Sequence, residues 1–510
     1  MPERQQQDQM DEDHGEHMEE EFIDDADAEE IVQVDDDHPM EEEDEELLLE
    51  NDSAAHFDKH TDSIFCIAQH PIHPEIIITG SGDDTAYIFD SSQTAAAEKP
   101  LLPKSYETTP QQSKERESLP VIAHLDGHKD SVNAVCFTAP RGEYVITAGL
   151  DGKLRAWKDT SENLAGRAWQ FLAESQEVEE INWIATCPSS KAGNDEQTKN
   201  VVAIGASDGS VWVYRVDASE EAAEPLTIVA TYFQHTAPCT AGAWTPDGQL
   251  LATVSEEGSF YVYDVFGAAA AAGVTASAGT QSVVALTVQD QRFAVEGGLY
   301  SVAISPSGAF AVVGGAEGHI KVVGLPRLTD TSAKSKAKGK GGAGAAGGSG
   351  AGTLLASLQA QSDGIESLSF SSPPLNLLAA GSVDGSIALF DVAHRFAVRR
   401  HIRGAHEETA VVKVEFVHCE TNTASAGTSS GRPWLLTSVG MDGVVRRWDT
   451  RGGTVAAGHG LLKEWRGHVG VSENEEGEQS GGILDFVQGD KEGRRIVTAG
   501  DDGIALVFEE

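Results

Sequence analysis

The sequence predicts an all-β fold: an eight-bladed β-propeller, its ring closed by an N-terminal strand and preceded by a disordered acidic tail. Three observations carry this. A turn motif occurs eight times, strand signals flank each copy, and the two chain ends complement one another. The motif is plain in "TAGLDGKLRAWK" from Thr147, the end of one strand, a tight turn and most of the next. Its other copies begin at Thr79, Ile204, Thr253, Val313, Ala380, Ser438 and Thr498. The fifth position is acidic in every copy: Asp83, Asp151, Asp208, Glu257, Glu317, Asp384, Asp442 and Asp502. Six places later an aromatic residue stands in seven copies, Val323 being the exception. Gly follows the acid in seven, as a hairpin turn with positive φ requires.

Each element of a blade can be read around this turn. Ahead of the second copy lies "GHKDSVNAVCF", a Gly-His followed by an alternating apolar run, and behind it comes "RAWQFLAE". The unit is therefore inner strand, second strand, turn, third strand and outer strand. Successive acids are 49 to 68 residues apart, more than the roughly 40–45 residues of a four-stranded repeat, so the excess lies in loops. Low-complexity insertions near 266–280 and 332–352 fall between third and outer strands. The eighth copy reaches Glu510 directly after its third strand, and "AAHFDKH", Ala54 to His60, precedes the first inner strand without a partner of its own. Pairing the two closes the ring and removes the open sheet edge. The domain reading is thus a disordered tail over 1–53 and a propeller over 54–510.

Charge narrows the function. Residues 1–50 hold 24 Asp and Glu against one Arg, which leaves 58 of the 82 acids and 35 of the 36 bases for the rest of the chain. Such a field repels nucleic acid and anionic membrane and attracts polycations, basic protein segments among them. Five scattered cysteines without a CxxC pair fit reduced thiols in the cytoplasm or nucleus. The N-terminus lacks the apolar core of a secretory signal, and no run is long enough to span a membrane.

Catalytic patterns are weak. "KAKGKGGAG" fails the phosphate-loop spacing, since Lys334 stands where the first Gly belongs and Gly341 where Ser or Thr belongs. His70 and His73 in "QHPIHPE" have no further His or Cys to complete a metal site and read as a turn. We therefore expect no enzyme activity, no cofactor and no metal. A carboxylate at one place in every blade is better explained as a structural acceptor. In the second blade the expected group is His128, Thr147, Asp151 and Trp157, which ties the turn to its neighbours.

Gly127-His128, Asp151, Trp157-Lys158 and "RRWDT" from Arg446 resemble the WD40 repeat over residues 54–510. The acidic leader, "HTDSIFCIAQHP", "GSVDGSIALFDV", "MDGVVRRWDT" and "GGILDFV" are further similar to one WD40 subfamily. It contains the ribosome-assembly chaperone of large-subunit ribosomal protein L-ten (the uL-sixteen family) and the angio-associated migratory cell protein. The resemblance implies capture of the basic N-terminal arm of a newly made ribosomal protein and its delivery to the 60S subunit, by a monomer that touches neither nucleic acid nor membrane directly. A histone-binding propeller and a general interaction scaffold are the alternatives.

The residues offer a matching surface. Asp62, Asp130, Glu179, Glu180, Asp363, Glu407 and Glu408 lie ahead of inner strands, while Glu256 and Asp501 immediately precede the structural acid of their turns. Closing the ring is expected to gather these acids around one mouth as a cradle for the client.

Overall fold

The computed structural model describes residues 51–92, 117–162, 165–189, 196–219, 222–274, 281–328, 350–417, 432–452, 460–473, 479–490 and 493–510. Eight antiparallel four-stranded sheets follow one another along the chain. Blade 1 runs Ile64–Gln69, Ile76–Ser81, Ala86–Asp90 and Val121–Leu125, and the inner strands of blades 2 to 8 begin at Val132, Ile181, Cys239, Leu299, Ile365, Val411 and Ile483. Blade 8 takes its outer strand from the other end of the sequence. Ala55–Phe57 pairs with Ala505–Glu509 in the register Ala55↔Val507, Phe57↔Ala505. The closure and the blade number are those read from the repeats.

The described chain starts at residue 51 and is already tied to the propeller ahead of residue 54. Asp52 N donates to Arg466 O (2.8 Å), Arg466 N to Asp52 Oδ2 (3.0 Å) and Ser53 N to Asn51 Oδ1 (2.9 Å). The tail up to residue 50 lies outside the described residues, as do 275–280 and 332–349 of the two insertions. The described part of the first insertion includes a short helical turn, Ala268–Ala271.

The core lies between blades. Second strands such as Ile76–Ser81 and Leu250–Ser255 are buried along their whole length, so one face packs on the preceding blade and the other on the next. At the closing seam Phe57, fully buried, stacks on Phe89 of blade 1 with centroids 4.4 Å apart, within a cluster that also holds Val497, Ala499 and Val507 of blade 8. The Pro-rich "QHPIHPE" is a turn closed on His70, whose Nδ1 accepts from Ile72 N (3.2 Å) and His73 N (3.0 Å). Cys66, Cys136, Cys187 and Cys239 are buried, and none of the four is in a disulfide among the described residues.

The turns and the loops that lead into inner strands share one end of the ring, here called the mouth. Connections from third to outer strand and from inner to second strand lie at the opposite end. The strand ends joined across 91–120, 325–353 and 417–434, the three longest stretches between paired strands, are all at that far end.

Candidate functional site

Histidines stitch the mouth. His128 follows the outer strand of blade 1, yet its Nδ1 lies 3.0 Å from Asp151 Oδ1 and its Nε2 2.9 Å from Thr147 Oγ1, both in blade 2. Blade 1 has the same arrangement with His60, Asp83 and Thr79 (3.0 and 2.9 Å), and blade 8 has it with His468, Asp502 and Thr498. Burial pushes His60, His128 and His406 below the ordinary imidazole value and His235 down to about 4. A neutral ring then donates from Nδ1 to the carboxylate and accepts from the hydroxyl at Nε2, which fixes its tautomer.

Blade 7 carries the fullest version. Trp448 Nε1 donates to Ser438 Oγ (2.9 Å), Ser438 Oγ lies 2.8 Å from His406 Nε2, and His406 Nδ1 lies 2.8 Å from Asp442 Oδ1. Arg446 reaches both Asp442 and Glu464, the latter at 2.7 Å. Blade 2 departs from the expected group here. Trp157 Nε1 is buried without a hydrogen-bond partner among the described residues, and its ring is held instead by Phe171 (5.3 Å) and the Arg155 guanidinium (5.6 Å).

The other acids depart in instructive ways. In blade 4 the longer Glu257 holds Ser259 Oγ (2.7 Å), and that hydroxyl contacts His235 Nδ1 (2.6 Å) in place of the carboxylate. In blade 6 Gln361 replaces the histidine and donates to Ser386 O (2.9 Å), while Asp384 accepts from Ser362 N and Ser386 N. Asp208 accepts from Ser210 N (2.8 Å). Glu317 has φ 54° in its turn, and its carbonyl rather than its carboxylate accepts from Gln359 Nε2 (2.9 Å). Asp84, which stands where the other seven turns have Gly, takes φ 64°.

Buried neutral histidines set a pH dependence. Between the ordinary imidazole value near 6.5 and the lowered native values, the unfolded chain binds more protons, so stability rises with pH across that window. The carboxyl partners add to this further down. For Asp442 burial is outweighed by hydrogen bonds and charge from His406 and Arg446, and for Asp151 by the bonds from His128 and the backbone; both sit below the ordinary carboxylate value. Their contribution is lost as pH falls through that range. The urea midpoint is expected to be flat above pH 7 and to drop steadily from pH 6.5 to 4; a midpoint constant over that interval would contradict the buried-histidine assignment.

Eight predicted rim acids, Asp62, Asp130, Glu179, Glu180, Glu256, Asp363, Glu407 and Glu408, are exposed at the mouth, and Asp501 is half-buried. Asp62, Asp130 and Asp363 are equivalent: one oxygen of each accepts from the next residue's amide at 2.7–2.8 Å. Asp501 is already engaged, accepting from Ser63 Oγ (2.7 Å) across the closing seam and from Gly481 N in the loop entering its own blade. Glu179, Glu180, Glu407 and Glu408 have no side-chain ion pair or hydrogen bond among the described residues. The fold brings two subsets together. Burial, then Asp130, Asp83 and Asp151, push the Asp84 carboxyl up. Burial, then Glu366, Glu256 and Asp363, raise the Tyr300 phenol, and burial with Asp363 raises Glu366. The Tyr300 ring and Glu366 Oε1 both flank Gly364, 3.6 and 3.4 Å from where a Cβ would stand, and the charges of Glu256 and Asp363 are felt at the phenol.

Tyr300 and Glu366 are absent from the sequence-predicted set. Both are the second residue of an inner strand, and there every blade has a β-bulge: the pairing skips from Ile64 to Cys66, from Leu299 to Ser301, from Ile365 to Ser367 and likewise in the other five. The skipped residue is released from the ladder at the mouth.

The profile described as "WD domain, G-beta repeat" matches residues 51–90, 120–158, 226–264 and 352–391. A crystal structure of Chaetomium thermophilum Sqt1 bound to the N-terminus of the ribosomal protein L10 is 50% identical, covers 90% of this chain and all of that one, and superposes with a TM-score of 0.72. The chain belongs to the Sqt1 family of WD40-repeat propellers. Within this family the ribosome assembly protein SQT1 of Saccharomyces cerevisiae is 26% identical over 93% of this chain and 91% of its own. The human angio-associated migratory cell protein is 24% identical over 90% and 80%. No helix among the described residues is long and apolar enough to cross a membrane.

Proposed function

We propose that this chain is a non-catalytic chaperone for a large-subunit ribosomal protein of the L10 (uL-sixteen) family, holding the protein's basic N-terminal arm on the mouth of the propeller and delivering it, from the cytoplasm, for 60S assembly. The observation that carries this is the half-identical Sqt1 with the N-terminus of ribosomal protein L10 bound. The electrostatics of the mouth support it. Exposed carboxylates on a rigid ring steer a cationic segment and offer its Lys and Arg side chains counter-charges before they meet RNA.

The rim is one part of the affinity. Exposed ion pairs contribute about 0.2–1 kcal/mol each, so eight supply about 2–8 kcal/mol against about 12 kcal/mol for a nanomolar complex. Charge reversal at Glu256, Asp363 and Glu366 together is expected to weaken binding of an L10 N-terminal peptide at least 100-fold by calorimetry, to flatten its salt dependence and to leave the melting temperature nearly unchanged. Equal affinity of the folded triple variant at low salt would end the acidic-rim mechanism. A histone-tail peptide in the same assay separates the readings: preference for it over the L10 peptide would favour a histone-binding propeller.

A further inference from the structure

The mouth is not acidic all the way round. Its eight bulge residues fall into three arcs. In blades 2, 3 and 4 they hold the ring together: Asn133 Nδ2 donates to Asn182 O (3.4 Å), Asn182 Nδ2 to Cys239 O (3.1 Å) and Thr240 Oγ1 to Leu299 O (2.7 Å), each carbonyl lying in the next blade. In blades 5 and 6 they are Tyr300 and Glu366, among the carboxylates. In the three consecutive blades 7, 8 and 1 they are Val412, Leu484 and Phe65.

This third arc is apolar and open. Phe65 is 39% exposed, and Val412 and Leu484 are half-buried. Phe65 owes its position to Gly82. A Cβ there would lie 3.3 Å from Phe65 Cε2 and 2.9 Å from Asp62 Oδ2. At the same place in the turn the other blades have Leu150, Ser207, Glu256, Ala316, Val383, Met441 and Asp501, so blade 1 alone has no side chain there. The phenyl ring consequently lies against bare backbone beside a rim carboxylate. On the loop entering blade 8, Val469 is a further exposed apolar residue (44%).

We propose that Phe65, Leu484 and Val412 form an apolar anchor for the same segment whose cations occupy the acidic arc, so that the client arm is recognised as amphipathic rather than merely basic. This rests on the function proposed above and specifies its ligand: a cationic peptide carrying an aromatic or large aliphatic side chain. Two features favour that occupant. The arc is continuous with the rim through Asp62, which touches the ground both share, so a residue seated on Phe65 has a carboxylate within reach of its neighbour's charge. Apolar burial also supplies what the exposed ion pairs leave short, as central apolar contacts do in most peptide complexes.

The test uses the full chain and a synthetic N-terminal peptide of ribosomal protein L10, with a second peptide in which every apolar side chain is replaced by Ser and all Lys and Arg are kept. The unaltered chain is expected to bind the second peptide ten- to a hundredfold more weakly, with the same salt slope. Phe65→Ser and Leu484→Ser should each weaken the first peptide about tenfold and leave the second unchanged. Equal affinity for both peptides would overturn the anchor while leaving the acidic-rim reading intact, and this arm needs no variant protein to fold. Wild-type affinity of folded Phe65→Ser and Leu484→Ser would overturn it equally. Failure of the unaltered chain to bind either peptide at low salt would overturn the anchor and the reading beneath it together.

Discussion

Replacing Phe57 by Ala is expected to destabilise the propeller by about 3–5 kcal/mol and to broaden its unfolding transition. The closing strand has three residues, so its main-chain pairing is short and its side chains must do much of the holding. Phe57 is fully buried, stacks on Phe89 at 4.4 Å and meets Tyr87 edge-on at 5.6 Å. It hangs from a strand of blade 8 but packs on blade 1, so one ring fastens the two ends of the circle. Truncation leaves a cavity in the seam, where blades 8 and 1 share contacts. Equilibrium urea unfolding read by fluorescence checks the size of the loss. A loss below about 1 kcal/mol would show that the seam is held elsewhere, through Ser63 and Asp501 or through Asp485, whose Oδ2 accepts from Ile67 N (3.4 Å).

Asp442→Ala should be comparably damaging, about 3–5 kcal/mol, because it removes one partner of a buried ionic group and leaves the other. Asp442 receives His406 Nδ1 on one oxygen and the Arg446 guanidinium on the other, and His406 is 0% and Arg446 5% exposed. Without the carboxylate, Arg446 keeps one acidic partner among the described residues, Glu464, and the His406–Ser438–Trp448 chain loses its terminal acceptor. The matching change in blade 3, Asp208→Ala, removes only the bond from Ser210 N and is expected to cost less than about 1.5 kcal/mol. The comparison separates the network from the motif: equal losses at the two positions would mean that the acid acts through turn conformation alone.

How far these features could be read in advance follows from their physics. Blade number and closure were legible because a repeated turn leaves a repeated residue type, and because an unpaired third strand and an unpaired leading strand must meet. The rim acids were legible by their place relative to the turns, though Asp501 turned out to be occupied by Ser63 and Gly481. His406 was hidden, since Ala405 separates it from Gly404 and breaks the Gly-His pattern. The bulge residues were hidden more deeply. A bulge is a mismatch in register between two strands, and Phe65, Asn133, Asn182, Thr240, Tyr300, Glu366, Val412 and Leu484 share no chemistry that would mark the position. Trp157 shows the converse error: the residue type matches blade 7, but its indole nitrogen finds no acceptor among the described residues.

The long connections at the end opposite the mouth have a consequence for how such a chain can change. Each loop at the mouth is tied to the turn of the blade that follows, so altering its length would unseat a neighbour. At the heel of the ring the segments 91–120, 325–353 and 417–434 bridge strand ends that are already fixed. Growth can accumulate there, and a fluorescent reporter spliced into any of the three should leave the grip untouched.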